Sequence, residues 1–287
     1  MHELAFPLLI ALIALALAFD FLNGLHDAAN SIATVVSTQL LSPVMAVVFA
    51  AVGNFAAYWI VGLHVAETVG KGIIDKDVVT PAVVFGALIG AMFWNVVTWL
   101  KGIPSSSSHA LIGGLLGAGV AHSGFGAIES AGTTKTILAI FVSPLLGFAL
   151  AMLLVLVTSW LFRGMQPRRA EGVFKSLHLV SSAAYSISHG GNDAQKTMGT
   201  RLTRLNHHTG FCASTAGSIV VFGASAMGIP VSTTHAITGS VIGTGAARRA
   251  SAVRWTVAGR VVTAWFITIP ASAVVGAGFY LLTRLFT

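Results

Sequence analysis

Apolar residues along this chain run in nearly continuous blocks, separated by short polar stretches. A helix needs about 20 residues to cross the hydrocarbon core of a bilayer. Blocks of that order lie at residues 4–25, 42–63, 80–100, 103–121, 136–162, 177–190, 211–228, 229–246 and 256–282. The pattern predicts an all-α polytopic membrane protein with about nine spans or part-spans, of which the short, Ser-rich 177–190 block has the weakest signal. No basic region precedes the first block, so it reads as a retained span and not as a cleaved signal peptide. Many of the 31 glycines fall inside the blocks, where helices approach closely or break.

Composition agrees. Charged residues make up 9 % of the 287 positions and apolar ones 55 %, and the mean hydropathy is +0.84. A soluble domain carries about a quarter charged residues, so a soluble enzyme and a disordered chain are both excluded. The net charge of +7 comes from Lys and Arg scattered between apolar blocks, which are loop charges and not a nucleic-acid footprint. Cys212 is the single cysteine and can form no intrachain disulfide. Residues 163–176 hold Arg163, Arg168, Arg169 and Lys175 against Glu171. The positive-inside rule reads them as a cytoplasmic loop. With five spans before that loop, the N-terminus lies outside.

The chain contains an internal duplication. Residues 102–119, GIPSSSSHALIGGLLGAG, align without gaps on residues 228–245, GIPVSTTHAITGSVIGTG. A shorter pair, NGLHDAAN at 23–30 and HGGNDAQK at 189–196, precedes the first pair in each half. The first repeat is residues 1–162, and the second is residues 177–287. Five spans in the first half start the second from the opposite side of the membrane, the inverted-repeat plan of many secondary transporters with broken helices. The offsets differ, 166 from Asp27 to Asp193 and 126 from His109 to His235, so the second half is about 40 residues shorter between its motifs. Matching the halves leaves 42–63 without a counterpart, as if one helix had been lost. Ordinary crossings would then carry Arg201, Arg204, Arg248, Arg249 and Arg254 outside, against the positive-inside rule. The expectation is a re-entrant 177–199 segment in a strained topology, with weak or absent transport.

Polar residues inside the blocks carry the candidate chemistry. Asp27 and Asp193 follow apolar helical segments at membrane depth, where an ionised carboxylate costs about 3 kcal/mol. They read as cation-coupling or substrate-site groups, the alternative being a salt bridge such as Asp193 with Lys196. Asp20, one turn before Asn23, reads equally as interfacial. Pro104 and Pro230 are expected in the first turns of helices whose free N–H groups point into the protein and favour an anion. The hydroxyls of Ser105, Ser106, Ser107 and Ser108, and of Ser232, Thr233 and Thr234, add donors without fixed charge. Capping and interface packing are their structural alternative. No carboxylate, Cys or second His sits at ligand spacing beside His109 or His235, so helix-to-helix hydrogen bonding is expected of them and no metal site. Trp99, Trp160 and Trp255 read as interfacial.

Together these motifs, GLHDAAN at 24–30, GNDA at 191–194 and the paired GIP-(S/T)-HA segments, resemble the inorganic phosphate transporter (PiT) family over nearly the whole chain. The resemblance implies low-affinity phosphate uptake by proton or sodium symport across a bacterial inner membrane, with no cofactor and no metal beyond a coupling sodium. It nominates Asp27, Asn30, Asn192 and Asp193, with the helix-start hydroxyls, as substrate-binding, and Asp27, Asp193, Asn23 and His26 as cation-coupling. His26 stands where many members have Asn. The implied partners are phosphate and the bilayer, with a homodimer among the options. Three other readings stand beside it: a sulfate or other oxyanion permease, a deletion variant with impaired transport, and an intramembrane hydrolase built on the Ser/His pairs, against which the duplication argues because catalysis needs a single nucleophile.

Overall fold

The computed structural model describes residues 6–60, 72–103, 105–190 and 205–285, with backbone alone at 25–31, 58–60 and 190. Among these residues there are nine α-helices: α1 Phe6–Ser37, α2 Pro43–Ile60, α3 Pro81–Leu100, α4 Ser107–Ser123, α5 Ser130–Leu161, α6 Pro167–Gly190, α7 His207–Ala226, α8 Thr233–Arg248 and α9 Trp255–Thr283. Five contain stretches long and apolar enough to cross a membrane, in α1, α3, α5, α7 and α9. Local sequence sets their starts. Thr80 caps α3 with Pro81 in its first turn, and Asn206 and Thr209 form a reciprocal capping box at α7.

Two expectations are corrected. The 163–176 loop is mostly helix, because α6 starts at Pro167. Its first turns carry the Glu171–Lys175 pair at 3.3 Å while burying Phe174 against Phe162, His208 and Phe211. An apolar-block search misses an amphipathic turn of this kind. The first helix also extends past the 4–25 block, continuing through residues 24–30 to Ser37.

The ends of the helices sort by charge. Phe162, Phe174 and His208 bring the end of α5 and the starts of α6 and α7 together, and Arg248 at the end of α8 lies close enough to act on His208. The opposite end holds the Ile74–Ile128 bridge beside Asp75, Asp77 and Glu129, and the His122–Tyr280 hydrogen bond of 2.6 Å between α4 and α9. The first end is the basic one, the end that the positive-inside rule expects on the cytoplasmic side. Contacts that advance together along both helices, from Phe174–His208 through Ser182–Ser214 to Tyr185–Gly217, show α6 and α7 running parallel away from it. Arg248, and with it the turn that carries Arg249 and Arg254, therefore lies at the basic end. The expected re-entrant 177–199 segment is corrected over its described part, since 177–190 belongs to the continuous helix α6, which ends away from the basic end; residues 191–204, with Arg201 and Arg204, lie outside the described residues.

In the first half, α2 brings the chain back between the parallel α1 and α3 and packs on α6, where Gly53 sits against Ser186. No described helix does the same between α6 and α7. The halves interlock by exchange: α4 packs on α9 and α8 on α5. Glycines set the distance, since a Cβ at Gly117 would lie 1.9 Å from the Ala273 carbonyl and one at Gly239 would lie 2.1 Å from that of Pro144.

Candidate functional site

Two helical hairpins, α3–α4 and α7–α8, have the same construction. In the first, Gly102 adopts φ +60°, its N–H donates to the Trp99 carbonyl (3.1 Å), and the Ile103 N–H donates to that of Thr98 (2.8 Å). In the second, Gly228 adopts φ +66°, with N–H bonds from Gly228 to Ser225 (3.0 Å) and from Ile229 to Ala224 (2.9 Å). Both are Schellman ends, and glycine is required because other residues are strained at that φ. A few residues on, an extended cap residue opens a new helix in each. Ser106 Oγ accepts the His109 N–H at 3.3 Å and Ser232 Oγ accepts the His235 N–H at 3.3 Å, so these serines are the N-caps of α4 and α8.

The expected placement of the prolines is corrected by those caps. Pro230 lies two residues before the Ser232 cap and not in the first turn, and Pro104 lies outside the described residues. The helices start at Ser107 and Thr233, each three residues past the proline position, so that Ser107, Ser108 and His109, and Thr233, Thr234 and His235, form the first turns. Ser105, Ser106, Ser107, Ser232, Thr233 and Thr234 are all buried, and Ser108 is half-buried. Ser105 is hydrogen-bonded to Thr268 of α9 at 3.1 Å.

The two starts meet. The fully buried rings of His109 and His235 pack edge to face, centroids 4.7 Å apart, and His235 lies over Trp265 at 4.2 Å. Rings, and not the expected hydrogen bond, join the helices: among the described residues none of the four ring nitrogens has a partner in hydrogen-bond geometry, although the Ile140 carbonyl lies beside His235. Two positive helix ends lined with hydroxyls therefore converge in the interior, an arrangement suited to a small oxyanion. No group of three or more His, Cys, Asp or Glu among the described residues could hold a metal ion.

Of the other nominated residues, Asn23 is buried with its side-chain oxygen unpartnered among the described residues, and Asp20 is exposed. His26, Asp27 and Asn30 are on α1, with side chains outside the description. Asn192, Asp193 and Lys196 lie outside the described residues altogether. The structure thus brings the two sets of helix-start residues together and leaves their relation to the carboxylates undescribed. It adds residues that sequence reasoning missed. Asn95 is buried on α3 with both amide atoms unpartnered among the described residues. It lies one turn past Ala91, as Asn23 lies one turn past Phe19, and Phe19 and Ala91 share a core cluster. A lone Asn inside the 80–100 block was its only signal. Thr34, Ser214 and Ser182 form a buried hydroxyl chain across α1, α7 and α6 at 3.0 and 3.4 Å.

The family model described as the phosphate transporter family matches residues 23–201 and 196–276. A protein of Rhizobium meliloti (strain 1021), described as a probable low-affinity inorganic phosphate transporter, is 53 % identical over 323 positions covering 96 % of this chain and 97 % of its own length. One of Bacillus subtilis (strain 168) with the same description is 36 % identical over 329 positions covering 97 % and 98 %. A solved structure titled "The sodium-dependent phosphate transporter" shares the fold with a TM-score of 0.88 at 23 % identity, over 98 % of this chain and all of its own. Both alignments are longer than this chain of 287 residues. The relatives therefore carry residues that this chain lacks, and the family match breaks at 196–201, directly after Asp193.

Proposed function

Because this chain belongs to the phosphate transporter family, we propose that it imports inorganic phosphate with low affinity across the bacterial plasma membrane, by symport with a cation. The observation that carries this reading is the meeting of the two capped, hydroxyl-lined helix starts at His109 and His235. In this reading Ser105 to Ser108 and Ser232 to Thr234, with the backbone N–H groups of the first turns, hold the phosphate oxygens. Donors of this type attract an anion without the fixed charge that would slow its release. Moving one negative charge inward against 100 mV costs about 2.3 kcal/mol, and a doubly charged phosphate about twice that. Co-transported cations offset it: Asp27, Asp193, Asn23 and His26 are the groups assigned to them, and Asn30 and Asn192, with the two carboxylates, are assigned to the substrate beside the hydroxyls.

The coupling cation is a proton or sodium, and the sodium dependence of the fold neighbour makes sodium the first to test. Phosphate accumulation in proteoliposomes holding this chain is measured with an inward sodium gradient, an inward proton gradient, or neither. Accumulation with one gradient and none without is expected, together with little competition from a tenfold excess of sulfate. Failure of both gradients, where the Bacillus subtilis relative accumulates phosphate in the same vesicles, would overturn the reading.

A further inference from the structure

A cavity of about 530 Å³ lies between the α3–α4 turn and the start of α9. Its polar side is Lys101 and Arg260, and its apolar wall includes Trp94, Ile103 and Ile267. Arg260 is in the second turn of α9, just after the basic turn at Arg248 to Arg254, so the cavity is at the cytoplasmic end. No carboxylate is paired with either cation among the described residues. Ile103 and Ile267 are partly exposed, and the adjoining Trp99, Leu100 and Phe266 are exposed apolar residues, so the cavity opens on a surface of the kind that faces lipid.

The inverted repeat provides an internal comparison. At the offset of 126, Lys101 corresponds to Met227 and Arg260 to Thr134, while the intervening Gly102 and Ile103 match Gly228 and Ile229. The turn is common to both halves, but the paired cations occur only on the cytoplasmic side. Preservation of the hairpin does not call for them, and the positive-inside rule accounts for basic residues on that side but not for two of them meeting at one apolar-walled cavity.

We propose that this cavity binds the headgroup of an anionic phospholipid of the cytoplasmic leaflet. Two cations beside an apolar slot match an amphiphile, with the phosphate on Lys101 and Arg260 and the upper acyl chain along Trp94, Ile103 and Ile267. Inorganic phosphate has no apolar part with which to use that wall. Basic residues at this level attract anionic lipid through the surface potential as well as by contact. A lipid held here joins the tip of the α3–α4 hairpin, and so the approach to Ser105 and Ser106, to α9.

Native mass spectrometry of the full chain in detergent, with phosphatidylglycerol and phosphatidylcholine of identical acyl chains, tests the proposal without any transport readout. Wild type should retain phosphatidylglycerol at least about tenfold over phosphatidylcholine, and K101Q/R260Q should lose that preference. A Cβ at Gly259 would meet nothing within 4 Å, so G259L fills the cavity with both charges intact and should also lose the lipid. Equal retention of the two lipids, or retained phosphatidylglycerol in either variant, would overturn the proposal. Displacement of phosphatidylglycerol by millimolar inorganic phosphate would also overturn it, making the cavity a vestibule for the substrate.

Discussion

Ser106 and Ser232 have two roles, and the roles separate experimentally. Each caps a helix, and loss of a serine cap costs about 1 kcal/mol. Each also lies at the proposed anion site. Replacing Ser106 and Ser107 together by Ala should therefore lower the melting temperature in detergent only slightly while weakening phosphate binding by a larger factor, measured as the dissociation constant; an unchanged constant would remove these serines from the site. Asp27→Asn and Asp193→Asn should each abolish gradient-driven accumulation while leaving membrane insertion intact, and wild-type accumulation in both would end their assignment. Residue types and order made these candidates legible in the sequence. The ring contact of His109 with His235 was not legible, because it joins positions 126 apart through helices whose packing no local pattern encodes.

At the scale of the elements, glycine spacing governs how closely the exchanged helices pack. Gly117→Ala would place a methyl carbon 1.9 Å from the Ala273 carbonyl, whereas Gly278→Ala meets nothing within 4 Å. The first should destabilise the protein by about 1–3 kcal/mol through overpacking of α4 on α9. The second should be neutral or stabilise by a few tenths, since alanine is the better helix former. Thermal unfolding of the two variants side by side separates contact from propensity. Helix boundaries were legible where caps were strong, as at Thr80–Pro81, and were displaced where the cap lies past the proline position, as at Ser106 and Ser232. The first turns of α6 escaped notice because Arg168, Arg169, Glu171 and Lys175 mask an amphipathic segment that buries Phe174.

For the molecule as a whole, the shortened second half leaves the described charges sorted between the two ends. Cysteine placed at Arg249, in a background without Cys212, should be labelled from the cytoplasmic side alone, because Arg248 adjoins His208 at the basic end. In the first half α2 packs against α6, and no described helix holds the equivalent place on α1, whose Phe6, Leu17 and Phe21 are exposed. Transport by this chain should accordingly be slower than that of the longer relatives, and inserting the corresponding segment of the Rhizobium meliloti relative after Gly199 should raise the initial rate of phosphate uptake.

The amino-acid sequence by itself determined the class of protein, the duplication and the identity of the helix-start residues, because apolar block length, repeated motifs and hydroxyl-rich runs are local properties. Only the tertiary structure decided that the 80–100 and 103–121 blocks form one hairpin, that each hairpin packs on the last helix of the opposite repeat, and that the two helix starts face each other. Those outcomes depend on where small residues let backbones approach, as at Gly117 against Ala273 and Gly239 against Pro144, and contacts between distant segments of a chain have no periodicity from which to read them.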